Sequence, residues 1–335
     1  MKFIHLSDLH IGKRVNDFSM LEDQEYILKK IINIVDDETP DGVIIAGDIY
    51  DKAVPSAEAV QLFDDFLVRL FGRELQVFVI SGNHDSPERI AFGSRLMSIS
   101  GVHMSPVYDG NVTPVCLTDE FGSVNIFMLP FIKPAHVKRF YPDDEISTYS
   151  EAVRSAICHM EIAQGDRNIL ITHQFVTGAL RCDSEDITVG GSDNVDASLF
   201  EPFDYVALGH IHGPQNVGGE HIRYCGTPLK YSFSEAKQHK SVTVVELLEK
   251  GSMIVRAVPL VPKRDMMEIK GSYMEITARD FYKSLDTMAY MHITLTDEED
   301  IPDAIGKLRS IYPNIMKLDY DNRRTRFNED IIGTD

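Results

Sequence analysis

Positive charge is what this chain has least of: 33 lysines and arginines face 52 aspartates and glutamates, a formal net charge of −19. Taken alone, that balance argues against tight nonspecific nucleic-acid binding, because neutralising phosphates takes clustered Lys and Arg. Bound divalent metals, local basic patches or a partner would have to overcome it. Cysteine is also sparse. Cys116, Cys158, Cys182 and Cys225 are scattered without paired zinc-knuckle spacing, so free thiols in a reducing compartment are expected. There is no apolar run long enough to cross a bilayer and no visible secretory signal, since Met1-Lys2 leads straight into a strand. The expected location is the cytoplasm. Internal repeats and low-complexity tracts are missing as well.

What remains is an ordinary globular composition. The 335 residues are 43% hydrophobic and 25% charged, enough for one large domain and a smaller one. Strands over 3–6, 42–46 and 77–80 alternate with helices over 20–35, 55–72 and from 87 onward, an α/β pattern. Shorter strands such as 124–129 follow, then a helix near 149–163 and a strand over 168–172. A stretch over 181–195, rich in Asp, Ser and Gly and containing Gly190-Gly191, reads as a long specificity-bearing loop beside His173. After a strand over 205–208, segments 222–225, 242–247 and 254–258 read as a closing antiparallel set. A linker over 259–265 then leads to a small α+β unit with strands over 267–276, 291–295 and 315–320. The expected division is 1–262, 263–321 and a flexible tail over 322–335.

Chemistry-bearing residues cluster just after the apolar runs. Ser7-Asp8-Leu9-His10 follows the first strand, and in an extended segment Asp8 and His10 would point the same way. Gly47-Asp48, Gly82-Asn83-His84-Asp85, Thr172-His173 and Gly209-His210-Ile211-His212 sit in equivalent places. Convergence would build a site for two divalent ions. Asp48 is the natural bridge, with Asp8, His10 and His212 serving one ion and Asn83, His173 and His210 the other. Nitrogen and oxygen ligands without thiolate suit manganese, iron or zinc better than calcium. Such a pair makes hydroxide at neutral pH and stabilises charge on both attacking and leaving oxygens of a phosphoester.

His84, next to Asn83, is expected to face the substrate and either protonate the leaving oxygen or stabilise the developing phosphorane. Asp51 and Asp85 read either as carboxylates orienting a histidine or as turn and cap residues. Arg89 reads either as a phosphate clamp or as a solvated helix-start residue. His5, His103, His136, His159, His221, His239 and His292 read as structural.

The order D-x-H, G-D, G-N-H-D, H, G-H-x-H resembles the calcineurin-like metallophosphoesterase superfamily over roughly the first 260 residues. Longer strings narrow the resemblance: 47–51 with Pro55-Ser56, 82–89, 203–212 and 226–235 are similar to the bacterial SbcD family, nuclease subunits of SbcCD DNA repair complexes. The resemblance implies a four-layer α/β sandwich with a small C-terminal α+β cap and two manganese ions. It also implies ATP-dependent 3′–5′ exonuclease activity on double-stranded ends and endonuclease activity on single strands and hairpins. The ATP would be bound by an SbcC-type partner, in keeping with the lack of a G-x-x-x-x-G-K-[ST] loop here. A homodimer within a heterotetramer is implied too, and gives weight as interface to the helix spanning Leu62 to Phe71 and the one after Pro87.

Two departures stand out. Archaeal and eukaryotic relatives carry a second catalytic histidine where this sequence has Asp51, so that role does not transfer. Members usually continue past the cap into helices gripping the SbcC coiled coil, and 322–335 does not read as such helices. Lys13, Arg14, Arg89, Lys133, Lys263 and Arg264 are candidate DNA-backbone contacts. The rival classes are a small-substrate phosphoesterase, which would share every ligand but not need 265–320, and a non-catalytic scaffold, which eight intact site residues argue against.

Overall fold

A computed structural model describes residues 1–185, 193–323 and 325. The first half builds β1 (Lys2–Leu6), α1 (Leu21–Glu38), β2 (Gly42–Ala46), α2 (Ala57–Phe71), β3 (Gln76–Ile80) and β4 (Val102–Met104). These four strands lie parallel. Their runs are mostly apolar because both faces are covered: Ile4, Val43, Ile45 and Val79 pack with α1 and α2, while Phe3, Ile44, Ala46 and Phe78 pack toward a second sheet. Ser56 caps α2, accepting from the Ala59 amide at 3.3 Å.

The second sheet comes from β5 (Val115–Asp119), β6 (Gly122–Leu129), β7 (Arg167–His173), β8 (Tyr205–Gly209), β9 (Gln215–Asn216) and β10 (Ile222–Tyr224), with α3 (Tyr149–Cys158) on its outer face. The chain then returns. β11 (Ser241–Leu247) lies antiparallel to β1, and β12 (Met253–Pro259) pairs with β11 at the edge. The layers are therefore helices, sheet, sheet and helix, the four-layer α/β sandwich.

The closing set expected over 222–258 is divided between the sheets. β10 runs parallel to β8, and its Ile222 and Tyr224 fill the core beneath α3, whereas Val242 and Val244 of β11 fill the core beneath α1. The helix near 149–163 ends early, at Cys158.

Beyond this lie β13 (Met266–Gly271), β14 (Tyr290–Leu295), α4 (Ala304–Leu308) and β15 (Ile315–Tyr320), a parallel three-stranded sheet with its own core around Met291, Ile293, Leu295, Leu308 and Tyr312. The strand expected over 267–276 stops at Gly271. Ser272 and Glu275 form a reciprocal capping box there, which turns Tyr273–Ile276 into a helical turn. Met266, Tyr290 and Met316 join the core of the first sheet and seat the cap on α1. Gly190-Gly191 and most of the expected tail lie outside the described residues.

Candidate metal centre

β1, β2, β3, β7 and β8 all deliver their carboxyl ends to one edge of the sandwich, where open α/β sheets place ligands. The loops there are shaped by backbone, not by strand alternation. Asp8 (φ 52°) and His10 (φ 43°) lie past the end of β1 in left-handed conformations, as do Asp48 (φ 50°) and His210 (φ 97°). The two-residue alternation expected for Asp8 and His10 therefore does not operate. Their loop pairs with the one after β2: the amides of Asp8, His10 and Ile11 donate to the carbonyls of Gly47, Asp48 and Ile49 at 2.9–3.0 Å. Four non-glycine residues at positive φ in one cluster store strain that the surrounding packing must hold.

The side chains meet in two groups around Asp48. His10 Nε2 and His212 Nε2 are 3.1 Å apart, and both gather with Asp8. Asn83 Oδ1 lies 3.0 Å from His173 Nε2 and 3.0 Å from His210 Nδ1. Asp48 Oδ2 stands between the groups, 3.7 Å from His10 Nε2 and 3.2 Å from His173 Nε2. Asp8, His10, Asp48, His173, His210 and His212 are buried.

Burial drives His10 well below its ordinary pKa and His210 down to about 3, so both rings are neutral and offer lone pairs. Burial likewise raises Asp8 to about 6, aided by Asp48. Asp48 goes the other way: burial raises it, but His173, His10 and His84 outweigh that and hold it well below the carboxylate range. Its counterpart His173, despite burial, is lifted to about 9 by Asp48 and Asp8.

Two divalent cations fit this donor set. Two nitrogens bonded tetrahedrally to one ion at about 2.0–2.1 Å stand roughly 3.3 Å apart, close to the spacing of His10 and His212. Glycines make room for the crowding. A Cβ at Gly82 would fall 2.1 Å from Asp48 Oδ1, and one at Gly209 would fall 1.9 Å from the Ala46 carbonyl oxygen.

One family model, described as calcineurin-like phosphoesterase, matches residues 1–214. The SbcD subunit of nuclease SbcCD from Staphylococcus epidermidis is 35% identical over 322 residues, covering 95% of this chain and 85% of that one. The protein of the same name from Staphylococcus saprophyticus is 34% identical over 336 residues, covering 99% and 87%. The chain belongs to the SbcD family of calcineurin-like phosphoesterases. That membership makes it a metal-dependent phosphodiester hydrolase with a site for two divalent metals.

A second model, described as the type 5 capsule protein repressor C-terminal domain, matches residues 262–332. Among solved structures, a dimetal phosphatase from Danio rerio is similar at 11% identity and TM-score 0.47, covering 77% of this chain and 95% of its own. TT1561 of Thermus thermophilus is similar at 12% identity and TM-score 0.38, covering 76% and 98%.

Of the remaining residues singled out from the sequence, Asp51, His84 and Asp85 lie beside the SbcD-type site, and Arg89, Lys263 and Arg264 lie away from it. Asp85 neither orients a histidine nor merely caps a turn. Its carboxylate accepts from the amides of Ile49, Tyr50 and Gly82 at 2.9–3.1 Å, tying together the loops that carry Asp48 and Asn83. Burial raises it to about 6. The Asp51 carboxylate pairs with Lys13 at 2.9 Å, while its carbonyl meets His84 Nδ1 at 3.2 Å. His84 sits at the mouth, its amide donating to Asp48 Oδ1 and its Nε2 4.0 Å from Asp48 Oδ2. Arg89 is exposed on a groove beside α2, with Phe63, Leu67 and Phe92.

Among the candidate DNA contacts, Lys263 and Arg264 face Glu22 and Asp23 of α1, so their charge is neutralised at the domain joint. The Arg14 guanidinium donates to the Asp17 carbonyl. Of the histidines read as structural, His5 is buried against Tyr205, His103 stacks on Phe78, His159 stacks on Tyr141 and His292 lies between Glu268 and Asp319.

Ser184, Glu235 and Lys240, which surround His212, have no role assigned from the sequence. Nor do Gln24 and Tyr231, which donate to the carbonyls of His10 and Leu9 at 2.7 and 2.6 Å. The only trace of them was that Tyr231 and Glu235 lie inside the string 226–235.

Proposed function

We propose that this chain is the nuclease subunit of an SbcCD-type DNA repair complex. It acts as a 3′–5′ exonuclease on double-stranded DNA ends and as an endonuclease on single-stranded DNA and hairpins. Its cofactors are two Mn2+ ions. It works in the cytoplasm as a homodimer, within a heterotetramer with an SbcC-type ATPase. The carrying observation is that one chain combines the phosphoesterase cluster with the 266–320 unit. A small-substrate phosphoesterase would need the first without the second.

Asp8, His10 and His212 would hold one ion and Asn83, His173 and His210 the other, with Asp48 placed between the two groups to serve both. When bound, the ions supply Lewis acidity at the phosphate and a nucleophile at neutral pH. His84 handles the leaving group. A carbonyl only accepts, so the contact with the Asp51 carbonyl assigns a hydrogen to Nδ1, and Nε2 is turned toward Asp48 Oδ2. Lys13, Phe233, Lys237 and Lys317 line a cleft of about 670 Å³ that reaches Ser184 beside His212, a path for a strand toward the cluster. The charge of −19 fits a subunit whose hold on DNA depends on its partner. Exposed Val60, Phe92, Leu96 and Ile99, at 45–85% exposure, supply an apolar face for a second copy.

The test is cleavage of an end-labelled hairpin and a linear duplex with Mn2+ by wild type, His84→Ala and Asp48→Ala. Cleavage that both substitutions abolish is expected. No cleavage even with SbcC and ATP, alongside turnover of bis-p-nitrophenyl phosphate, would establish the small-substrate alternative instead.

A further inference from the structure

Building on the metal assignment above, we infer that Ser184 is a positioning residue for His212. Its hydroxyl, set between the imidazole and Glu235, fixes the ring as the Nδ1–H tautomer and leaves Nε2 bare toward His10 and Asp8.

A count of hydrogens decides the tautomer. Ser184 Oγ lies 2.7 Å from His212 Nδ1 and 2.5 Å from Glu235 Oε1. Glu235 is fully buried and ion-paired through Oε2 with Lys240, itself only 3% exposed at the side chain. A carboxylate in that setting accepts and does not donate. A serine hydroxyl has one hydrogen, so with Glu235 taking it, Ser184 can only accept from His212. The hydrogen of the ring must then sit on Nδ1. Nε2, 3.1 Å from His10 Nε2, keeps its lone pair.

The network also fixes where the ring stands. Lys240 Nζ donates to the His212 carbonyl at 2.9 Å, so one ammonium clamps both the backbone of His212 and the carboxylate behind its ring. The His212 amide donates to Glu235's neighbour in the cluster, Glu185 Oε1, at 2.6 Å. The Cys182 thiol adds a contact to Ser184 Oγ at 3.2 Å and donates to Glu185 Oε1 at 3.3 Å. His10 differs: its Nδ1 is buried without a hydrogen-bond partner among the described residues, so no outer group sets its tautomer. A hydrogen bond on the far nitrogen both orients a ligating imidazole and raises its basicity.

The experiment compares wild type, Ser184→Ala and Ser184→Thr. In metal-free, histidine-15N-labelled protein, long-range 1H–15N correlation reads the His212 tautomer, with the signal assigned by its loss in His212→Asn. Nδ1–H is expected in wild type and in Ser184→Thr, with Nε2–H appearing in Ser184→Ala. Mn2+ titration followed by electron paramagnetic resonance should show one of two sites weakened about 10- to 100-fold by Ser184→Ala and restored by Ser184→Thr, at an unchanged melting temperature.

An Nε2–H tautomer in wild type would overturn the inference. So would a Ser184→Ala protein that keeps both the tautomer and both affinities. Equal loss at both sites together with a lowered melting temperature would assign Ser184 a purely structural role, which also overturns it. Failure of wild type to take up Mn2+ would sink the metal assignment while leaving the tautomer result to decide Ser184.

Discussion

Arg264→Ala should loosen the cap from the catalytic domain, and the structure sets the size of the effect. Asp23 on α1 is fully buried, and its Oδ2 accepts from Arg264 Nη1 at 2.7 Å and from the Tyr290 hydroxyl at 2.6 Å. Its Oδ1 is already without a partner among the described residues. Removing the guanidinium leaves a buried carboxylate held by one hydroxyl. Breaking a buried pair in this way costs about 3–5 kcal/mol. Arg264 keeps 20% side-chain exposure, which places the expected loss near the lower end, about 3 kcal/mol or two orders of magnitude in equilibrium.

Urea denaturation would measure the loss, and limited proteolysis across 259–265 would report release of the cap. Adding Asp23→Asn to Arg264→Ala removes the stranded charge and should recover at least half of the stability. Glu22→Ala, which deletes a 2.5 Å contact to Arg264 from a carboxylate 57% exposed, should change stability by less than about 1 kcal/mol. A cost under about 1 kcal/mol for Arg264→Ala, or no recovery on adding Asp23→Asn, would refute this account of the joint.

Two further outcomes follow from the site and its flank. His173 in the metal-free protein is raised to about 9 by Asp48 and Asp8, so it is protonated below that pH and a metal must displace its proton. Mn2+ affinity at the site of Asn83, His173 and His210 should therefore climb about tenfold per pH unit between pH 7 and 9 and then level, with one proton released per protein chain in calorimetry across buffers; a flat profile would contradict this. Phe92→Glu with Ile99→Glu places charges on the apolar face and should give a monomer by light scattering that still turns over bis-p-nitrophenyl phosphate; a persistent dimer would locate the interface elsewhere.

The sandwich was legible because its strands are buried on both faces. Runs such as 42–46 and 77–80 have to be apolar at every position, and each is followed at once by polar residues that do not belong in a core. The sheet to which 222–224 belongs was not legible, since that depends on which core receives Ile222 and Tyr224 and no local pattern carries it. The gathering of ligands could be guessed from their types and order. Their presentation could not, because left-handed turns at Asp8, His10, Asp48 and His210 are imposed by pairing between distant loops. Ser184, Glu235 and Lys240 stayed hidden for a similar reason: a serine, a glutamate and a lysine carry no signal until folding brings them behind one imidazole.

The division of the centre between two sheets bears on how the protein comes into being. Asp8 reaches the amide of His210 across 202 residues of chain, and the carboxylates of the first sheet meet three imidazoles, those of His173, His210 and His212, that come from the second. Closing so long a loop is among the late and slow events of folding. A nascent or half-folded chain carries the ingredients of a hydrolytic centre but never their combination, so the capacity to cut arrives together with the finished fold.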